Sequence, residues 1–234
     1  MSSNLTEPTN LRSDMKRTPE QCKSFFQRNT DNRGFGRELY QTPYPIIEKI
    51  VSSIIEQRPS LKNKKWIDPC AADGRWQEVI EKHGIVCESY DLEPLTENVR
   101  QQDFLTSSFT EDNLFFIGNP PFSMLKQFVN KTLEMADSCY YLGGSQIITG
   151  TLSNKVDLLH RFEGCEGNQK DKRSKISFTD TLNQDVYVWC CGAIFDNVVH
   201  QPFERNNGYI ENWFRTSIQT FCKEDDRVFT INVK

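Results

Sequence analysis

The sequence has no long hydrophobic run, and its longest apolar stretches are far shorter than the about 20 residues that a membrane-spanning helix needs. Residues 1–10 are polar, which is unlike a secretory signal peptide. Only three histidines are present, none spaced as a pair of metal ligands, and the eight cysteines contain no CxxC pair. We therefore expect no membrane association, no metal and no disulfide framework, and we expect free thiols in a reducing intracellular compartment, the cytoplasm or the nucleus.

The chain also lacks a strong net charge. Its formal charge of -4 gives no global signature of nucleic-acid binding, so any such binding must come from local basic patches. A short basic run contains Lys170, Lys172, Arg173 and Lys175, which are the candidate contacts to nucleic-acid phosphates. A solvated loop without a ligand is the alternative interpretation of this run.

The stretch from Leu114 to Phe122 joins an apolar run to a stiff turn. The apolar run has the composition of a buried strand, and it stops at Gly-Asn-Pro-Pro because consecutive prolines cannot continue a sheet ladder. An exocyclic amino group on a planar ring could donate its two hydrogens to the side-chain oxygen of Asn119 and the carbonyl of Pro120, while Phe122 stacks on the ring face. A stiff turn with no chemistry is the alternative interpretation.

Three further segments precede this stretch. Residues 65–75 predict a strand that enters a turn of small side chains, where a ligand can approach the backbone, and a helix over 76–82 follows. Residues 85–91 predict a second strand ending at Asp91, whose carboxylate could accept hydrogen bonds from two ribose hydroxyls. Thr42-Pro43 precedes a predicted helix with isoleucines and a valine on one face at helical spacing.

Taken in their order along the chain, these segments resemble the motifs of a family of S-adenosylmethionine-dependent nucleic-acid methyltransferases. Members of this family modify adenine N6 and carry an Asn-Pro-Pro-Phe motif. The motifs lie within residues 40–122, and the predicted strands extend the resemblance to about residue 196. The resemblance implies S-adenosyl-L-methionine as the cofactor and a nucleic acid as the substrate. It implies that the catalytic residues are Asn119, Pro120, Pro121 and Phe122.

The resemblance also implies a cofactor site. Thr42 and Pro43 would cover the methionine end of the cofactor, Asp91 would bind the ribose, and Asp103 and Phe104 would contact the adenine amine and ring. The loop after the first strand would contribute Asp68, Pro69, Ala71 and Gly74. Taken alone, Asp103 and Phe104 could equally be a surface acid and a core hydrophobe.

One residue, Ala72, departs from the family pattern, because a glycine is expected at its position. If this position needs a positive φ, the loop would be strained or reshaped. Ala72 is therefore the feature that favours an alternative of a different class, a non-catalytic subunit that keeps the fold as a binding platform.

The fold that the resemblance implies is a Rossmann-like class I methyltransferase, α/β, with a mostly parallel seven-stranded sheet, helices on both faces and an antiparallel last strand. Beyond the motifs, the sequence predicts a helix over 124–136, a strand over 140–148, a short helix over 156–162 and a hairpin between 175–178 and 186–195. The expected divisions are a polar, partly disordered extension over 1–37 with a short helix over 19–26, a methyltransferase domain over 38–196, and a segment over 197–234 that packs on the core.

Substrate choice depends on surfaces outside the motifs. DNA adenine is the expected target, RNA adenine is the alternative, and cytosine N4 fits the same two-acceptor geometry. A protein glutamine amide is a further alternative, for which Tyr would be expected in place of Phe122. The chain shows no long segment that could act as a target-recognition domain, so a partner subunit could supply substrate recognition.

Overall fold

The structure is a computed structural model, and it describes residues 39–144, 147, 151–165, 174–179, 185–201, 203 and 225–234. The extension predicted over 1–37, with its short helix over 19–26, lies outside the described residues, as do Lys170, Lys172 and Arg173 of the basic run.

Ten strands occur in the described part of the chain. Their bounds are β1 Lys65–Asp68, β2 Cys87–Asp91, β3 Arg100–Gln101, β4 Leu114–Gly118, β5 Ser138–Gly143, β6 Val156–Glu163, β7 Lys175–Thr179, β8 Asp185–Trp189, β9 Cys191–Asp196 and β10 Val228–Asn232. Eight of them form one sheet in the order β10-β6-β9-β5-β4-β1-β2-β3. Strand β9 is antiparallel to both of its neighbours and every other pairing in this sheet is parallel.

The centre of this sheet is covered on both faces, as its apolar composition predicts. All five residues of β4 are buried, and β1 has three buried residues of four. Strands buried on both faces have nearly continuous apolar runs, which is the pattern of parallel sheets in α/β proteins. The ring of Trp66 meets that of Phe115 edge-on at 4.9 Å on one face, while Ile67 and Phe116 enter the core cluster on the other face.

Helices cover the two faces. Their bounds are α1 Tyr44–Gln57, α2 Arg75–Lys82 and α3 Leu125–Leu133, with short 3-10 turns at Pro59–Asn63, Phe122–Met124 and Ser153–Lys155. Helix α1 buries the predicted stripe of Ile46, Ile47, Ile50, Val51 and Ile54. It reaches the sheet through Ser53, whose hydroxyl lies 3.1 Å from Nε2 of His160 in β6. Helix α3 covers the opposite face, where Phe128 packs in the same cluster as Phe116.

The fold class is confirmed, but three details of the sequence prediction are wrong. Residues 156–162 were expected to form a short helix and instead form β6. This strand lies inside the sheet between β9 and β10, with 158–162 buried without interruption, so it lacks the alternation that marks a half-buried strand.

The second difference is the number of strands. The sheet has eight strands rather than seven, because β10 pairs with β6 in parallel at the edge. The antiparallel strand β9 is therefore neither the last in the chain nor at the sheet edge.

The third difference concerns the hairpin expected between 175–178 and 186–195. Only β7 and β8 form it, as a separate antiparallel pair that we call the ribbon. The chain then passes through Cys190 into β9, which belongs to the main sheet.

Helix length bears on membrane insertion. The longest helix over the described ranges is α1, with 14 residues, and no helix there combines the length and the apolar character that crossing a bilayer requires. Cys70, Cys87, Cys139 and Cys190 are free thiols.

Candidate active site

The predicted motifs converge at the carboxyl ends of three adjacent strands, β2, β1 and β4. In open α/β sheets this edge is where ligands bind. The strand ends are close together because β4 finishes with a glycine. A Cβ atom on Gly118 would lie 2.6 Å from Oδ1 of Asp68 and 3.2 Å from Sγ of Cys70, so only glycine fits between them.

The loop between β1 and α2 has, at Ala72, the backbone conformation for which a glycine was expected. Ala72 adopts a left-handed conformation with φ of 51°. Its backbone N–H donates to Oδ2 of Asp91 at 2.9 Å, and its carbonyl accepts from Leu95 N at 2.9 Å. Gly74, with φ of 83°, precedes α2. The positive φ is therefore present without the expected glycine, and it costs about 1–2 kcal/mol at an alanine.

Asp91 stands at the tip of β2 and holds two loops together. Its Oδ2 accepts from Ala72 N, and its Oδ1 accepts from Glu93 N at 2.8 Å. Each oxygen of an ionised carboxylate has a further lone pair. The half-buried side chain can therefore accept two more hydrogen bonds, as binding of a ribose diol would require.

Asp68, at the end of β1, is completely buried. Its Oδ1 accepts from Cys70 N at 3.1 Å, while its Oδ2 has no hydrogen-bond partner within the described residues. Burial, and then the nearby carboxylates of Asp91 and Asp73, hold the pKa of Asp68 well above its usual range. Asp73 is already paired with Arg75, so the carboxylate of Asp91 is the acid at this edge that is placed to attract a cationic ligand.

The Thr42-Pro43 turn is attached to the same loop. Arg75 of α2 donates from Nη1 to the carbonyl of Thr42 at 3.1 Å and pairs with Asp73 at 2.6 Å. The neighbouring Gln41 donates to Oδ2 of Asp73 at 2.9 Å. The hydroxyl of Thr42 is buried, and none of the described residues hydrogen bonds to it. A ligand in contact with this turn could therefore form a hydrogen bond with the Thr42 hydroxyl.

Asn119 follows β4 directly, and its amide has a fixed orientation. Its Nδ2 donates to the carbonyl oxygen of Tyr40 at 2.7 Å. A carbonyl can only accept, so the amide nitrogen must face Tyr40 and the amide oxygen must face the other way. That Oδ1 is buried and has no partner in the described part of the chain. Asn119 Oδ1 is therefore a hydrogen-bond acceptor with a fixed orientation, which a donor group of a ligand could satisfy.

The three residues after Asn119 are well packed. Pro120 is buried, Pro121 is half-buried, and Phe122 begins the turn Phe122–Met124 with only 6% of its surface exposed. A base that stacks on Phe122 must therefore come close to the protein interior.

Asp103 and Phe104 follow β3, whose carboxyl end lies beside that of β2. Asp103 is exposed, and its Oδ1 accepts from Leu105 N at 3.0 Å. Phe104 is buried and stacks on Phe128 of α3 with ring centroids 5.0 Å apart. Asp103 is therefore an acid in a surface turn, and Phe104 is an aromatic residue of the core. Their contacts with the cofactor stay predictions.

The sequence analysis did not identify Tyr40 or Gln41, which connect Asn119 and Asp73 to the Thr42 turn. Tyr40 acts through its backbone carbonyl, which no side-chain pattern reveals. Of the predicted basic run, Lys175 is described: it begins β7, with Nζ 5.8 Å from the ring centroid of Trp189.

Another group of polar side chains occurs at the opposite edge of the sheet, where ligand atoms of Asp157, Asp196 and His200 lie within 4.8 Å of one another. Arg58 pairs with Asp157 at 2.7 Å, and His200 contacts Asp196 at 2.8 Å. These acids already have protein partners, and we assign them no metal.

Comparison with known proteins supports the fold. No protein-family model and no curated protein sequence matches the chain. A candidate RNA methyltransferase from Pyrococcus horikoshii superposes with a TM-score of 0.50 at 14% identity, over 69% of this chain and 88% of its own. A candidate class I S-adenosylmethionine-dependent methyltransferase from Listeria monocytogenes gives 0.47 at 9% identity, over 82% of this chain and 65% of its own.

A third solved structure is the methyltransferase subunit of a type I restriction-modification system from Streptococcus thermophilus. It gives a TM-score of 0.47 at 10% identity, and the match spans 67% of this chain and 44% of that subunit. At 14% identity the likeness to the Pyrococcus protein shows the fold, a Rossmann-like methyltransferase fold, and nothing finer.

Proposed function

We propose that this protein is an S-adenosylmethionine-dependent methyltransferase that transfers a methyl group to the exocyclic N6 amine of adenine in nucleic acid, with DNA as the favoured substrate. The observation that carries the proposal is the Asn119 amide, whose buried Oδ1 is without a partner among the described residues while its Nδ2 is held by Tyr40.

The residues of the β1, β2 and Thr42 loops suit the cofactor. Asp91 has acceptor capacity for ribose hydroxyls, and the buried carboxylate of Asp68 and hydroxyl of Thr42 each present an unsatisfied polar atom. The negative charge of the Asp91 carboxylate matches the positive charge of S-adenosylmethionine. The proposed cofactor residues are Thr42, Pro43, Asp68, Pro69, Ala71, Gly74, Asp91, Asp103 and Phe104.

When bound, the cofactor supplies a methyl group on a sulfonium: the carbon–sulfur bond breaks, its electron pair stays on sulfur, and a carbon–nitrogen bond forms. An adenine amine is a weak nucleophile because its lone pair is delocalised into the ring. Asn119 Oδ1 and the Pro120 carbonyl accept its two hydrogens and so direct the lone pair toward the methyl group. One proton then leaves the nitrogen for solvent. Positioning is the main catalytic contribution of these residues.

Pro121 and Phe122 complete the turn. The second proline keeps the chain extended after Pro120. The ring of Phe122 supplies a stacking face for the target base, and within a duplex that base would have to leave the stack before it could reach Asn119. Because Phe122 is mostly covered, the base must insert deeply, and this favours a planar aromatic amine over a flexible amide side chain.

RNA adenine is the alternative substrate, and a non-catalytic subunit of a complex is the alternative role. The left-handed Ala72 does not argue for the latter, since the loop keeps its hydrogen bonds to Asp91.

The decisive experiment is tritium-methyl transfer from S-adenosylmethionine to duplex DNA, single-stranded DNA, structured RNA and protein, with nucleoside analysis of the product. We expect label in N6-methyladenine, mainly from DNA. Cofactor binding by calorimetry without transfer to any of the four would overturn the catalytic role and leave the binding-platform role.

A further inference from the structure

The outer face of the ribbon carries two large exposed aromatic side chains. Tyr187 and Trp189 of β8 are 42% and 43% exposed. They are two residues apart on one strand, so they point to the same face with about 7 Å between them. In the register of the ribbon they stand opposite Ser177 and Lys175, respectively.

The inner face of the ribbon explains why the outer face is not needed for stability. Ile176, Phe178 and Val188 are buried, so the apolar contacts that hold the ribbon to the protein come from the alternate positions. The exposed part of each ring is apolar surface that folding does not bury, and exposed aromatic surface of this kind is typical of binding sites. Tyr187 and Trp189 therefore point to a binding role.

The ribbon is joined to the candidate active site by backbone contacts. Gln41 N donates to the carbonyl of Thr179 at 2.9 Å, and Thr179 N donates to the carbonyl of Gln41 at 3.0 Å. The preceding residue, Tyr40, accepts from Asn119 and places its ring 6.0 Å from that of Phe178. A strand of nucleic acid with its target base at Asn119 thus has the Thr179 end of the ribbon next to it, and Tyr187 and Trp189 follow along β8 at about 7 and 13 Å from that end.

The charges on the outer face indicate how binding would occur. Lys175 is a cation beside Trp189, while Asp185 is an exposed acid at the other end, opposite Thr179. Within the described residues this face offers one lysine and one opposing carboxylate, which together attract phosphates weakly. The contact proposed for this face is therefore stacking on the two rings, and stacking of this kind tolerates any base sequence.

We propose that the outer face of the ribbon binds single-stranded nucleic acid beside the target adenine, by stacking unpaired bases on Tyr187 and Trp189. The inference rests on the proposed function and specifies its substrate class. Duplex DNA does not qualify because its base faces are already covered by neighbouring pairs. The same contacts would serve DNA and RNA strands.

The test compares Tyr187→Ala, Trp189→Ala and the double variant with the unmodified protein, and Val199→Ala, at a residue 80% exposed outside the ribbon, is the control. Binding of a labelled single-stranded DNA containing adenine is measured by fluorescence anisotropy, and methyl transfer to the same DNA gives kcat and KM. Each ring lost should weaken binding and raise KM by about 5- to 150-fold, with little change in kcat and none in cofactor affinity. Trp189→Phe keeps a stacking face and should recover most of the affinity lost in Trp189→Ala.

The outcomes separate the two proposals. If the unmodified protein binds the strand and both alanine variants weaken that binding, but no methyl transfer occurs, the ribbon proposal stands and the enzymatic proposal fails. If transfer occurs and both alanine variants keep the parental KM and affinity, the ribbon proposal is wrong and the enzymatic one stands. A stronger affinity for the duplex of the same sequence than for the single strand would also overturn the ribbon proposal.

Discussion

The amide nitrogen of Asn119 lies 2.7 Å from the carbonyl oxygen of Tyr40, and this hydrogen bond determines which way the Asn119 oxygen faces. The two residues are 79 positions apart, so the bond joins the turn after β4 to the segment before α1. An acceptor oriented in this way is what capture of an amino group requires.

The cofactor site gives the first prediction. Asp91→Ala removes the carboxylate that accepts from Ala72 N and Glu93 N and that we assign to the ribose hydroxyls. Loss of these acceptors should cost about 1–3 kcal/mol of cofactor binding, measured by calorimetry. Glu93→Ala, at an exposed neighbour, is the control and should bind normally. Equal affinities for Asp91→Ala and the parent protein would remove Asp91 from the site.

Ala72→Gly tests the strain in the loop. Because the alanine has φ of 51°, glycine should relieve about 1 kcal/mol of backbone strain, partly offset by the greater entropy of the unfolded chain. We expect a small increase in the free energy of unfolding in urea and unchanged or tighter cofactor binding. A clear loss of stability would show that the left-handed conformation at Ala72 is not strained.

Asp68 predicts a pH effect of defined sign. Burial holds its pKa in the folded protein above the unfolded value near 3.8, so its contribution to stability is present below that value and is lost as pH rises. Asp68→Asn removes this titration. The free energy of unfolding of this variant, relative to that of the parent protein, should therefore increase as pH rises above about 4. A difference that does not vary with pH would mean that the Asp68 carboxylate is well solvated.

For His160 we expect the opposite pH dependence of the free energy of unfolding. It is buried between Ser53 and Tyr140, and burial lowers its pKa from 6.5 to about 3. Below about pH 6.5 the unfolded chain binds a proton that the folded protein does not, so stability is present above pH 6.5 and lost as pH falls.

The check is His160→Gln, which keeps hydrogen-bonding groups but does not titrate. Between pH 6.5 and pH 5 the parent protein should lose about 1.6 kcal/mol relative to this variant, since one pKa unit is worth about 1.36 kcal/mol and the histidine of the unfolded chain is already half protonated at pH 6.5. If the parent protein and the variant differ in free energy of unfolding by the same amount at both pH values, His160 takes up a proton in the folded protein as readily as in the unfolded chain.

The sequence predicted the parts of the fold that local patterns encode. The apolar run of β4, its end before Asn119 and the one-sided stripe of α1 each follow from residue types at fixed spacing. Strand β6 was mistaken for a helix because a run buried on both faces has no period of its own. Strand β10 depends on a tertiary pairing with β6 that no local pattern shows.

The candidate site was selected in the same way, and its residue roles stay predictions. Asp68 and Asp91 lie at the ends of predicted strands, and Asn119 directly follows one. The role of Tyr40 was not, since a backbone carbonyl has no residue-type signature. Trp189 and Tyr187 were also missed: in sequence they belong to a strand-like apolar run, and only the register of the ribbon shows that they face outward.

The central claim is that Asn119 orients the amine for methyl transfer, and single-turnover methyl transfer by Asn119→Ala tests it most directly. The variant loses the bond from Asn119 to Tyr40, but Gln41 and Arg75 still hold the Thr42 turn, so it should fold and bind S-adenosylmethionine as the parent protein does. The bond to the amine matters most as the nitrogen becomes tetrahedral, so the rate should fall by about 100- to 1,000-fold, comparable to the loss of one oriented hydrogen bond at a reacting centre. Methylation of single-stranded DNA by Asn119→Ala at the parental rate would contradict the assignment of Asn119-Pro120-Pro121-Phe122 as the catalytic turn.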